Sequence, residues 1–221
     1  MTIVDDLAKV IRTSWGDLPN IKWLYNEYPE LHRENLSISN EMHECTGLRK
    51  IHLEVAKAGN LDVLHCVYFP DPRYNLPIFG CDIIATPTVV TAAIVDVSPI
   101  TGSEYIYEKI EPICSVFNFK EPRPLPEWGD IFSPYMKFQR IRDVEEQRKF
   151  LDVLMEYLII YCDAVKSAEK GSPLTTEQRK ADQIRYSIQQ RKNPKTLAVL
   201  SKWFDKEWAD GYINNILFCT P

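Results

Sequence analysis

The sequence predicts a single α/β domain of the α+β type, with a central antiparallel sheet and helices packed against it. Two patterns and one bulk property carry this expectation. Between residues 35 and 97, apolar and polar residues alternate in short runs separated by turn signals, as strands joined in hairpins do. Before and after that region, apolar residues recur at helical spacing. The chain has 221 residues, 45% of them hydrophobic and 11% aromatic, enough for one domain (1–221) with a sizeable core, up to three layers thick.

Taken in order, Ile3, Leu7, Val10, Ile11 and Trp15 mark one face of a first helix. Residues 16–35, rich in Pro, Asn and Tyr, assign to no element, and Asn35–Asn40 alternates like a strand. Ile51–Val55 and Asp62–Cys66 flank Gly59-Asn60, which reads as a tight hairpin turn. Glu54 then stands directly opposite His65. Phe69–Pro77 holds three prolines and reads as a loop capping one end of the sheet. Ile78–Ala85 and Val89–Val97 make a second hairpin around Thr86-Pro87-Thr88, with Thr91, Ala93 and Val95 on one face, so the sheet has at least five strands. Signals from Pro99 to Pro126 are mixed and end in a proline-stiffened loop, Lys120–Pro126, that holds Arg123. A strand at Tyr135–Arg140 precedes a helix over Val144–Lys166, with Leu151, Leu154, Leu158, Tyr161 and Val165 on one stripe. Thr175 and Gln178 resemble a capping box for a helix running to about Arg191. After a break, Pro194 suits the entrance of a last helix carrying Leu197, Leu200, Trp203 and Phe204.

The formal net charge is −5 and the isoelectric point about 5.5, which argues against nucleic acid as a partner and against adhesion to anionic membranes. Residues 177–207 run the other way, with eight basic against four acidic residues. This asymmetry suits an acidic protein partner or an anionic ligand, and equally a solvated helix face. The six cysteines are scattered without CxxC or Cys/His spacing, so reduced structural thiols are expected. Asp5 and Asp6 stand where a secretion signal carries positive charge, and no run reaches 18 apolar residues; the expected location is cytoplasmic.

Chemistry concentrates between Arg49 and Asp82. Strand alternation puts His52 and Glu54 on one face, the hairpin brings His65 against Glu54, and the next strand supplies Asp82, with Gly80 leaving room beside it. Pattern alone leaves three readings open: polar residues on a solvated sheet face, a metal site of two histidines and carboxylates, or an acid/base cluster. Lys195, at a helix N-terminus where the dipole disfavours a cation, hints at an external anion, though a solvated lysine reads the same.

The segments RKIHLEVAK, LHCVYFPDPRYNLPIFGCDI, AAIVDVSP, EWGDIFSPY and QQRKNPKT, in this order, closely resemble the ferredoxin-dependent bilin reductases over nearly the whole chain. The resemblance implies a three-layer α/β/α sandwich, its bilin held between the sheet and the C-terminal helices. It implies reduction of biliverdin IXα to phycocyanobilin by four electrons, the D-ring exovinyl group first and then the A-ring, through substrate radicals. Electrons come from reduced [2Fe-2S] ferredoxin, with no permanently bound cofactor and no metal, so the resemblance favours the acid/base reading. By motif, Asp82 is similar to the family's central proton donor, His65 to its partner, Glu54 to the acid that protonates the D-ring vinyl, and His52 to the histidine beside it. Arg123 and Lys195 resemble the propionate-binding cations, Thr91 a hydroxyl contact, and Asn193 and Val199 further pocket lining. Ferredoxin is expected to dock on the basic region 179–206 of a monomer.

Overall fold

The computed structural model describes residues 2–221. One antiparallel sheet holds eight strands: β1 (Lys22–Trp23), β2 (Glu30–Arg33), β3 (Leu36–Cys45), β4 (Leu48–Ala58), β5 (Leu61–Pro70), β6 (Ile78–Ala85), β7 (Val90–Ser98) and β8 (Lys137–Ile141). From β3 to β8 the strands lie in chain order, while β1 and β2 share the outer edge of β3 at its two ends. Helices α1 (Ile3–Trp15), α2 (Tyr107–Val116) and α3 (Val144–Lys166) bury Leu7, Ile110 and Leu154 against one sheet face. On the other face lie α4 (Thr176–Gln190), α5 (Pro194–Trp203) and α6 (Lys206–Tyr212), through Tyr186, Leu200 and Tyr212. The result is the expected α/β/α sandwich.

Local chemistry explains the boundaries. Thr2 caps α1 by accepting from the Asp5 amide, and Asp5 accepts in return from the Thr2 amide at 3.0 Å. Asp143 caps α3, whose stripe of Leu154, Leu158, Tyr161 and Val165 is buried, with Leu151 packed at its margin. Gly59 takes the left-handed φ of 58° that the β4–β5 turn requires, and the register pairs Glu54 with His65 as expected.

Several expectations change. The region 16–35 contributes β1 and β2, of two and four residues and mostly exposed, too short to show a pattern. β3 runs on to Cys45, and β5 continues through Pro70 into what reads as loop. Thr91 does not align with Ala93 and Val95: a bulge between Val90 and Ala93 makes Val90 their core-facing neighbour. Pro112 lies inside α2, which obscured that helix in the sequence. Thr175 precedes α4 without capping it by its side chain; its hydroxyl donates to the Ser172 carbonyl and Arg179 reaches it instead. The chain closes with a π-turn over Ile213–Leu217 that was not foreseen. Among the described residues, no helix is long and apolar enough to cross a membrane.

No atom lies within 4 Å of where a Cβ on Gly59 would sit, so substitution there meets only the backbone penalty. Gly59→Ala is expected to lower stability by about 1–2 kcal/mol in urea unfolding, the ordinary cost of a left-handed alanine. A loss well beyond that range contradicts the open turn.

Candidate active site

In an antiparallel sheet, directly paired residues project to the same face. Successive pairings here give one continuous row across six strands: Asn40, Glu54, His65, Asp82, Ile94 and Phe138. His52 belongs to the same face, two residues before Glu54 on β4. All four expected acid/base residues are therefore brought together. They do not form a solvated face, since His52 is 0% exposed, Glu54 5% and His65 7% under the C-terminal helices. Asp82 differs, its side chain remaining 41% exposed.

His65 Nδ1 lies 2.6 Å from an Asp82 carboxylate oxygen, while its Nε2 is buried with no hydrogen-bond partner among the described residues. The His65 and His52 rings meet edge to face at 5.6 Å, and Phe218 packs against His65 at 5.3 Å. His52 Nε2 is 2.8 Å from Asn40 Oδ1. Tyr212, from α6, reaches both Asn40 Oδ1, at 2.9 Å, and Glu54 Oε2. Asn40 and Tyr212 are site residues that the sequence did not single out.

Burial sets the protonation states. It pushes the Glu54 carboxyl up, against the opposing pull of His65 and Tyr212, so the acid form is favoured relative to an exposed carboxyl. It pushes His52 well below the ordinary imidazole value, helped by the charge of Lys50, so His52 is neutral. Lys50, itself buried, is lowered to about 8 and bonds the carbonyls of Ile216 and Leu217. Arg49 donates to the Cys219 carbonyl at 2.9 Å and to Gln183 of α4 at 3.0 Å. These two cations fasten the C-terminal segment over the sheet, and their charge draws the Cys219 thiol downward despite its burial. All six cysteines are free, as expected. Deeper along the face, Asp96 is buried and raised to about 6; it accepts from Ser98 at 2.6 Å and from the Ser133 amide at 3.0 Å.

The remaining expected residues fall into two groups. The Lys120–Pro126 loop runs beside β8, the Arg123 amide donating to the Phe138 carbonyl at 2.8 Å, so Arg123 lies with its guanidinium 4.9 Å over the Phe138 ring. Arg123 thus extends the site row beyond its last strand. Thr91, in the β7 bulge, donates its hydroxyl to the Ile84 carbonyl at 3.1 Å, and its own carbonyl accepts from Arg123. Asn193 and Lys195 lie at the entrance of α5, where the Asn193 side chain accepts from the Lys195 amide at 3.1 Å, and Val199 lies in the middle of that helix; Lys195 is exposed and Val199 half-buried.

The basic region 179–206 is smaller than its composition suggests. Arg179 is 1% exposed and bonds Pro72, Asn75 and Ser172, so it anchors α4 rather than offering charge to a partner. Arg185 pairs with Asp130, Lys180 with Glu177, and Arg191 bonds the carbonyls of Asn214 and Phe218. Lys192, Lys195, Lys202 and Lys206 stay exposed.

A profile of the ferredoxin-dependent bilin reductase family matches residues 20–219. The chain belongs to that family. It is 44% identical, over 99% of its length and 93% of the relative's, to the phycocyanobilin:ferredoxin oxidoreductase of Synechococcus sp. (strain CC9902). It is 42% identical, over 99% of its length and 87% of the relative's, to the enzyme of the same name from Prochlorococcus marinus (strain MIT 9313). In three dimensions it is similar to tomato phytochromobilin synthase crystallised with biliverdin, at a TM-score of 0.83 and 14% identity over 98% of this chain and 83% of that one. At that identity the likeness speaks to the fold. The protein is thus a bilin reductase, and the row of Glu54, His65 and Asp82 lines one face of its sheet.

A histidine held neutral by burial has a sign of its own in stability. As pH falls below about 6.5, the unfolded chain binds a proton that folded His52 refuses, so stability decreases on acidification. His52→Gln is expected to flatten this decline, measured as urea midpoints above and below that pH. An unchanged slope removes His52 as its source.

Proposed function

We propose that this chain reduces biliverdin IXα to phycocyanobilin, taking four electrons singly from reduced [2Fe-2S] ferredoxin without a permanently bound cofactor. The observation that carries this reading is the division of labour along one row: a buried carboxyl, Glu54, and a solvent-reachable carboxylate–imidazole pair, Asp82 and His65, open on the same face. The names of the relatives, at 42–44% identity across 99% of the chain, support the choice of substrate and product.

Electrons that arrive one at a time make substrate radicals the intermediates, and each reduction of a double bond also needs protons at defined carbons. Proton delivery is therefore the protein's part of the chemistry. The tetrapyrrole lies between the sheet face and α4–α6. Asp82, reachable from solvent and held 2.6 Å from His65 Nδ1, serves as the central donor to the pyrrole system. Glu54, favoured in its acid form by burial, protonates the D-ring exovinyl group first, with neutral His52 beside it; A-ring reduction follows.

Arg123 and Lys195 hold the propionates, and Thr91, Asn193 and Val199 line the pocket. An acidic ferredoxin docks near exposed Lys192, Lys202 and Lys206, which makes its association sensitive to salt. The chain works as a monomer in the cytoplasm.

Anaerobic incubation with biliverdin, reduced ferredoxin and a ferredoxin reductase, followed by chromatography of the pigments, is expected to yield phycocyanobilin. A different reduced bilin makes the chain a sister reductase, and unchanged biliverdin makes it a carrier. Glu54→Gln is expected to bind biliverdin but form little D-ring-reduced product. Asp82→Asn is expected to stall, with a radical visible by electron paramagnetic resonance. Normal turnover by either variant removes that residue from its assigned role.

A further inference from the structure

The hydrogen-bond geometry around Asn40 fixes where the protons are. The Asn40 carboxamide has one orientation, because its Nδ2 donates to the Tyr28 carbonyl at 2.8 Å; rotating it would set two oxygens against each other. Its Oδ1 therefore faces the site, where it meets His52 Nε2 at 2.8 Å and the Tyr212 hydroxyl at 2.9 Å. A carbonyl oxygen only accepts, so both neighbours donate to it. His52 carries its proton on Nε2, and the single proton of Tyr212 points at Asn40. The Tyr212 oxygen also contacts Glu54 Oε2. With the tyrosine proton already committed, that contact is bonding only if Glu54 supplies the hydrogen.

We infer that Tyr212 and Asn40 are positioning residues that hold Glu54 as a neutral, aimed carboxylic acid in the resting enzyme, and that the Tyr212 hydroxyl turns to the carboxylate once the proton has left. The inference rests on Glu54 being the donor to the substrate. In that step the Glu54 O–H bond breaks and a C–H bond forms on a bilin that has gained an electron from ferredoxin. The carboxylate left behind is buried and must be stabilised by a donor. Tyr212 is the group already in contact: a rotation about its C–O bond moves its proton from Asn40 to Glu54, while His52 continues to satisfy Asn40. The ring itself hardly needs to move, because it is stacked on Trp208 at 4.7 Å and packed against Tyr28 at 6.0 Å.

The other titratable groups around Glu54 are consistent with an acid form. On β4, His52 is neutral and Lys50 is engaged with backbone carbonyls; His65 on β5 is bonded to Asp82 on β6; from α6, Tyr212 is the group in direct contact. The His65 ring nitrogen nearest a carboxyl group is thus already engaged by Asp82.

Infrared difference spectroscopy of the protein, with and without Glu54→Gln, reads the carboxyl directly. At neutral pH the parent is expected to show a protonated carboxyl C=O band that vanishes in Glu54→Gln; an ionised Glu54 overturns the inference without any variant of Tyr212. Tyr212→Phe keeps the stacked ring and removes only the hydroxyl. It is expected to shift that band, to slow D-ring reduction about ten- to a hundredfold, and to move the alkaline limb of its pH profile upward, because the carboxylate loses its donor. An unmoved band and pH limb overturn the positioning role, whatever happens to the rate. If Glu54→Gln turns over normally, the donor assignment fails, while the band still reports whether Tyr212 and Asn40 hold the proton.

Discussion

Everything at this site depends on the register of the sheet. Side chains alternate between faces with a period of two, so a slip of one residue in β4 or β5 would drive Glu54, His52 and His65 into the helical core of α1 and α3 and turn Leu53 and Cys66 into the site. Two features hold the register at this point: the left-handed glycine at 59 and the burial of both faces of β4 and β5. Since both faces are covered, a slipped pairing exposes nothing to water and instead places hydrogen-bonding groups against apolar helices. That mismatch is large enough to make the register effectively unique.

How much of this was legible in the sequence follows from the same geometry. The Gly59-Asn60 turn is tight and regular, so counting outward from it places Glu54 opposite His65 correctly, and Asp82 follows on the next strand. The same counting from the Thr46-Gly47 turn fails. Cys45 pairs with Leu48, but a bulge between His43 and Cys45 shifts the pairing, and Asn40 meets Glu54 where an unbroken ladder would have offered Leu53. Asn40 was invisible as a site residue for that reason. Tyr212 was invisible for another: it comes from a seven-residue helix followed by a π-turn, more than 150 positions from its partner, and no local periodicity encodes such a contact. Charge counting misled at Arg179 because composition does not distinguish a guanidinium that ties loops together from one offered to a partner.

The layer that closes the site is held by polar contacts to the protein backbone as well as by apolar packing. Lys50 and Arg49, adjacent on β4, bind carbonyls at the end of the chain, and Arg191 at the end of α4 binds two more. Ending a π-turn leaves carbonyls without helical partners, and these cations satisfy them. One of these residues, Lys50, thus also brings positive charge close to the buried Glu54 and His52, where fixed charges act with little screening. Structure and electrostatics share that side chain.

The unequal exposure of the row has an isotopic meaning. Asp82 meets solvent with 41% of its side chain, whereas Glu54 is 5% exposed under Tyr212. A hydrogen delivered through Asp82 exchanges with bulk water at once; hydrogen on Glu54 waits for the covering layer to open. Immediately after transfer into heavy water, the enzyme therefore holds two pools of different age, deuterium at Asp82 and protium at Glu54. The position of each label in a product made in the first turnover becomes a map of which strand, β6 or β4, delivered it.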